Sequence, residues 1–119
     1  MIQNIVLPWP PTKSSLNGSQ GDFRGKAEAG RQYKRTCALE CMAQKVRPID
    51  AKRVSVRVIF CPPAAAPRAF DWDNMAARCK RGFDAVADAI GVDDKHWWPV
   101  TLEKGEPVKG GAVVIEVTP

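Results

Sequence analysis

From residue 53 the chain alternates. Val54, Val56, Val58 and Phe60 fall on one face, and Arg53, Ser55 and Arg57 on the other, with Ile59 the exception. A period of two belongs to a strand with one buried face and one wet, basic face. Over 72–90 the period changes. Met75, Cys79, Phe83, Val86, Ala87 and Ile90 recur at helical spacing, the apolar stripe of a helix laid on a core. Gly91 follows the last apolar position, where a helix commonly ends in a left-handed residue. A second helix is predicted from about Lys26 to Val46, with Tyr33, Cys37, Leu39, Met42 and Val46 as its buried positions and Pro48 just beyond its end.

Shorter apolar runs fill in the remainder. Ile2 to Leu7 predicts a strand that stops at the rigid turn Pro8-Trp9-Pro10-Pro11. Thr12 to Gly25, rich in Ser, Gly, Asn and Lys, reads as a long loop, and Pro62 to Pro67 as another. Two last strands are expected, Pro99 to Lys104 and Ala112 to Val117, with Gly110-Gly111 turning the chain between them. The order β-α-β-α-β-β predicts an α+β fold, a single domain over residues 1–119 with helices on a small mixed sheet.

Composition narrows the class. At 119 residues, 45% hydrophobic and 26% charged, the chain matches one globular domain. No apolar run approaches the roughly 20 residues of a membrane span. The first residues have neither a basic start nor a long apolar stretch, which predicts no signal peptide and a cytoplasmic protein. Cys37 and Cys41 share a helix face but form no CxxC pair with Cys61 or Cys79, and His96 is the single histidine. Free, buried thiols are therefore expected rather than a zinc site.

Charge brings in chemistry. The formal net charge is +5, yet four acids gather in two pairs, Asp71 with Asp73 and Asp93 with Asp94, at the two ends of the predicted helix 72–90. Setting those four aside leaves nine acids against 18 bases, a field that attracts phosphate backbones. On a helix of about 100° per residue, Asp73, Ala77, Lys80 and Asp84 share a stripe opposite the apolar face. Asp71 can reach the same end. Asp93 and Asp94 join it if the chain folds back after Gly91.

Carboxylates in this arrangement suit Mg²⁺, a hard cation that takes oxygen ligands at about 2.0–2.1 Å and keeps several waters. Such an ion can activate water and stabilise charge at phosphorus, with a lysine beside it to hold the transition state. A plainer reading stands next to this one. Asp71 or Asp73 can serve as a helix N-cap, Asp93-Asp94 as a solvated turn, and Lys80 with Asp84 as an ordinary surface pair.

Several separated motifs together resemble the RusA family of Holliday-junction resolvases. They are Leu7-Pro8-Trp9-Pro10-Pro11, Asp71-Trp72-Asp73-Asn74, Lys80 three residues before Phe83-Asp84-Ala85-Val86, Asp93-Asp94, and the closing Lys104-Gly105-Glu106-Pro107 and Lys109-Gly110-Gly111. The resemblance spans nearly the whole chain in order. It implies a homodimeric, Mg²⁺-dependent endonuclease of DNA recombination and repair that nicks four-way junctions symmetrically, with Mn²⁺ as a substitute ion. It implies that Asp71, Asp73 and Asp94 are metal ligands and catalytic acids, Asp93 being the less secure choice, and that Lys80 is the catalytic lysine. In the founding member that lysine follows one helical turn after the second aspartate. Here it follows seven residues after Asp73, as in phage-type relatives, which keeps it on the same face.

Outside that set, Lys13, Asn17, Arg24 and Lys26 are the candidate DNA contacts, with Arg31, Lys34 and Arg35 read either as phosphate ligands or as a solvated helix face. Trp9 can touch DNA or pack on the core; Trp97 and Trp98 read as core or dimer interface; His96 adjoins the acids as a possible base. Two other functions compete with junction resolution: a less selective nuclease of flaps and forks, and a module that binds branched DNA without cutting it.

Overall fold

A computed structural model describes residues 2–11, 23–65 and 70–119, with the side chains of the first helix described from residue 25. Four strands form one mixed sheet: β1 (Gln3–Pro8), β2 (Val54–Cys61), β3 (Trp97–Lys104) and β4 (Ala112–Thr118). Their order across the sheet is β1-β4-β2-β3. β4 lies antiparallel to both of its neighbours, while β2 and β3 are parallel. Parallel neighbours need a crossover, and helices supply it: α2 (Trp72–Arg78) and α3 (Lys80–Ile90) connect β2 to β3. α1 (Phe23–Ala43) packs against α3 and β1. The chain is thus α+β, in the element order its patterning predicts.

The helices cover one face of the sheet. Ile5, Leu7, Val54, Val56, Val58, Phe60, Val113, Ile115 and Val117 all point to that face and are buried. They meet Met75, Cys79, Val86 and Ile90 from α2 and α3 and Tyr33, Cys37 and Cys41 from α1. On the opposite face Arg57 binds Glu103 across the β2–β3 pair, at 2.9 Å through Nη2, and lies 3.4 Å from Glu116 on β4. The alternation read from residue 53 is therefore correct on both faces.

Several expectations shift; α1 runs Phe23–Ala43 rather than from about Lys26 to Val46. The helix over 72–90 is two helices that meet at Cys79, whose backbone stays right-handed but is distorted (φ −90°, ψ −2°) and whose N–H is shared between the Met75 and Ala76 carbonyls, each at 3.2 Å. Such i→i+3 bonding tightens a turn and breaks the run of α-helix. In α1 the buried stripe is Tyr33, Cys37 and Cys41, spaced by four. Leu39 and Met42, expected inside, are 59% and 75% exposed, and Val46 is half-buried beyond the helix. α1 touches α3 along one narrow face, and positions two and five residues past Cys37 turn away from it. Finally, β3 begins at Trp97 rather than Pro99. Trp97 pairs with Val54, and the register shifts before Val56 meets Val100.

The link from β3 to β4 is not a hairpin, since β2 lies between them. It crosses the end of β2 instead: the Gly105 N–H bonds Phe60 O at 2.8 Å, and Val108 bridges the 62–64 segment through bonds with Pro62 O and Ala64 N, both 2.9 Å. No helix among the described residues is long and apolar enough to cross a membrane.

Candidate metal and DNA site

The site is built where the crossover begins and ends. Asp71 is the N-cap residue of α2 in extended conformation, yet its side chain accepts no cap hydrogen bond. Its carboxylate is exposed and not used by the helix. Asp73, in the first turn of α2, is exposed as well, and its Oδ1 accepts the Asn74 N–H at 2.9 Å. Both acids sit at the N-terminal end of α2.

Lys80 opens α3. Its ammonium donates to Asp84 Oδ1 at 2.9 Å, one turn on, and to Asp94 Oδ2 across the fold. The second contact is the return that sequence alone could not supply. Gly91 takes a left-handed conformation (φ 75°), and the chain reverses through a 3-10 turn at Asp94–His96. Two aromatic contacts hold the return: Trp97 Nε1–H bonds Val92 O at 3.0 Å, and the Phe83 and Trp97 rings meet edge-to-face at 6.2 Å.

The return separates the roles of the two late acids. The Asp93 carboxylate caps the 3-10 turn, accepting the Lys95 N–H at 3.1 Å. That backbone bond holds its carboxyl below the usual aspartate range. Asp94 instead faces Lys80, whose ammonium is held above its ordinary range by the Asp94 hydrogen bond first and by Asp84 as well. Asp94, not Asp93, is the late acid brought to the helix stripe.

The N-terminal Pro-rich turn borders this region. Trp9 packs edge-to-face on Phe70 at 6.0 Å, and the Arg78 guanidinium lies 5.8 Å from the Trp9 ring while donating to Pro10 O at 2.8 Å. Trp9 is thus half-buried packing, and it joins the turn to α2. Beside Asp71, a hollow of about 390 Å³ is lined by Phe60, Phe70, Trp72, Leu102, Glu103 and Lys104. Trp72 is 65% exposed, and Lys104 Nζ stands 5.2 Å from the Phe70 ring centre. Sequence reading gave no role to Arg78 or Phe70, and quoted Trp72 and Lys104 only within motifs; an aromatic residue on each side of Asp71 was the signal available.

Lys26 is half-buried near the start of α1, whereas Lys13, Asn17 and the Arg24 side chain lie outside the described residues. Arg31 pairs with Glu28 at 2.7 Å and Lys34 with Asp88 at 3.5 Å, as on a solvated helix face. Trp97 is core; Trp98 is 65% exposed, with its indole bonded to Lys95 O at 3.1 Å. His96 is exposed. Cys37, Cys41 and Cys79 are free and buried, as expected of small hydrophobes, and Cys61 is free and half-buried. Burial pushes the thiols of Cys37 and Cys79 up to about 12.

Among the described residues, no three His, Cys, Asp or Glu side chains stand close enough together to hold a metal as they are. The three aspartates are oxygen donors of the type a hard divalent ion takes, two of them exposed and the third bonded to Lys80, but the described contacts do not bring all three together.

No family model matches the chain. An uncharacterized protein of Xylella fastidiosa (strain Temecula1 / ATCC 700964) is 31% identical to it over 123 residues, covering 98% of this chain and 76% of that protein. Identity at that level along almost the entire chain places the two together: the chain belongs to the family of this Xylella fastidiosa protein.

Proposed function

We propose that the protein is a RusA-like, Mg²⁺-dependent endodeoxyribonuclease that resolves four-way DNA junctions by paired symmetric nicks, acting as a homodimer in the cytoplasm. The observation that carries this reading is the contact between Lys80 and Asp94. It brings the late acid back to the helix pair that also carries Asp73, and it supports Asp94 rather than Asp93, whose carboxylate is bonded to the Lys95 N–H. Asp71, Asp73 and Asp94 would hold the ion. Bound there, Mg²⁺ supplies an activated water and a counter-charge for the phosphodiester.

The chain's own residues do the remaining work. Lys80 offers an ammonium to the negative charge that develops on phosphorus. Trp72, exposed next to Asp71, offers a face on which an unpaired base can stack, and Lys104 in the same hollow offers a charge for its phosphate. Two related cuts on a two-fold substrate need two related sites, which a homodimer provides.

The second reading is a module that binds branched DNA without cutting, and the open arrangement of the three aspartates is what favours it. Labelled mobile and fixed four-way junctions, incubated with Mg²⁺ or with chelator, separate the two. Paired nicks that require Mg²⁺ support the resolvase. Tight binding without cleavage at any Mg²⁺ or Mn²⁺ concentration supports the module, and cutting of flaps but not junctions supports a less selective nuclease.

A further inference from the structure

We propose that the free edge of β3 pairs with β3 of a second copy of this chain, antiparallel about a two-fold axis at Thr101, so that the two sheets run on as one. The inference goes beyond the function above and takes from it only the expectation of a homodimer. β3 is the last strand of the sheet, with β2 on one side only. Just past its end the Gly105 N–H points to β2, bonding Phe60 O at 2.8 Å. Backbone groups alternate sides along a strand, so those of Val100, Leu102 and Lys104 point to the open edge. Apolar surface is left there too: Val100 is 45% exposed and Trp98 65%.

The opposite edge of the sheet is stopped by the chain's own side chains. The Gln44 amide accepts the Val6 N–H at 2.8 Å and donates to Val6 O at 2.7 Å, as a neighbouring strand would. The Tyr33 hydroxyl donates to Pro8 O at 2.7 Å, and Pro8 has no N–H to offer. A sheet left open at one edge closes at two copies when that edge pairs with itself, and does not grow into a fibre. The β3 sequence suits self-pairing. With Thr101 opposite Thr101 of the second copy, Val100 comes opposite Leu102, Pro99 opposite Glu103 and Trp98 opposite Lys104. Apolar residues then face each other, an ammonium faces an indole, and no like charges are opposed. Glu103 keeps its own counter-charge in Arg57. Because Lys104 lines the hollow beside Asp71, each copy's Trp98 is brought to the rim of the other's hollow.

The test uses the full chain without DNA or metal. Opposed residues of an antiparallel pair that share no hydrogen bonds have Cα atoms about 4.5 Å apart, within disulfide reach. Thr101→Cys should therefore form a covalent dimer in oxidised glutathione, whereas wild type, with its four native cysteines, and Arg35→Cys on α1 should not. In analytical ultracentrifugation wild type should be a dimer. Val100→Lys, at a position already half exposed, sets a charge against Leu102 twice across the axis and should weaken dimerisation by roughly tenfold or more. A Thr101→Cys chain that stays uncoupled, or a Val100→Lys chain as dimeric as wild type, overturns the β3 pairing and leaves the proposed function untouched. A wild type that is monomeric at every concentration overturns both the pairing and the homodimer of that function.

Discussion

Single residues decide most at the late acid pair. Asp93 and Asp94 are adjacent and chemically identical, and their spacing gives no reason to prefer either. The 3-10 turn divides them, because a cap residue spends its carboxylate on a backbone N–H and its neighbour is turned the other way. Asp94→Asn is therefore expected to abolish junction cleavage, whereas Asp93→Asn keeps it within a few-fold and loses only the cap; gel assays of the two variants check this. Asp93 titrates below its ordinary value, so its cap stabilises the fold above the usual aspartate range and is lost as pH falls through the lowered value. Acid unfolding of Asp93→Asn should accordingly lack that part of the wild-type pH dependence. Lys80→Ala should keep the fold, since the side chain is largely exposed, and lose roughly 10²–10³-fold in cleavage rate, the usual cost of one stabilising donor.

At the scale of elements, the alternating strand β2 and the apolar stripe of α3 were legible because each has one strongly buried face. α1 was half legible. Its Tyr33-Cys37-Cys41 stripe touches α3, but Leu39 and Met42 are as apolar and lie outside it, and hydropathy cannot say which side a neighbour will take. The break at Cys79 was not read, because the apolar positions keep helical spacing straight through it, from Met75 to Cys79 to Phe83. Gly91 did leave one, and the whole return depends on it. Its left-handed φ is open to glycine and costs other residues about 1–2 kcal/mol. No atom lies within 4 Å of where a Cβ would sit, so Gly91→Ala tests backbone strain alone. The expected result is a loss of about 1 kcal/mol in denaturant unfolding, with no change in slope.

For the whole molecule, the sequence conveyed class, element order and a basic field, and it placed Asp73 and Lys80 together on one helix stripe. It could not convey how β3 returns beside β2, since a parallel pairing across a helical crossover leaves no local signature. The contact between Lys80 and Asp94 follows from that topology, and it joins the late acid to the start of α3. The basic excess should make junction binding salt-sensitive, falling at least tenfold between about 50 and 200 mM salt in chelator. Trp72→Ala should weaken that binding by roughly 1–3 kcal/mol if a base stacks in the hollow beside Asp71; fluorescence anisotropy reads both effects. The central claim, that these aspartates cut DNA through a bound divalent ion, meets its most direct test in Asp73→Asn. With Mg²⁺ and equal amounts of bound four-way junction, wild type should give paired symmetric nicks, and Asp73→Asn should bind at least as tightly and give none. Cleavage by Asp73→Asn at the wild-type rate would contradict it.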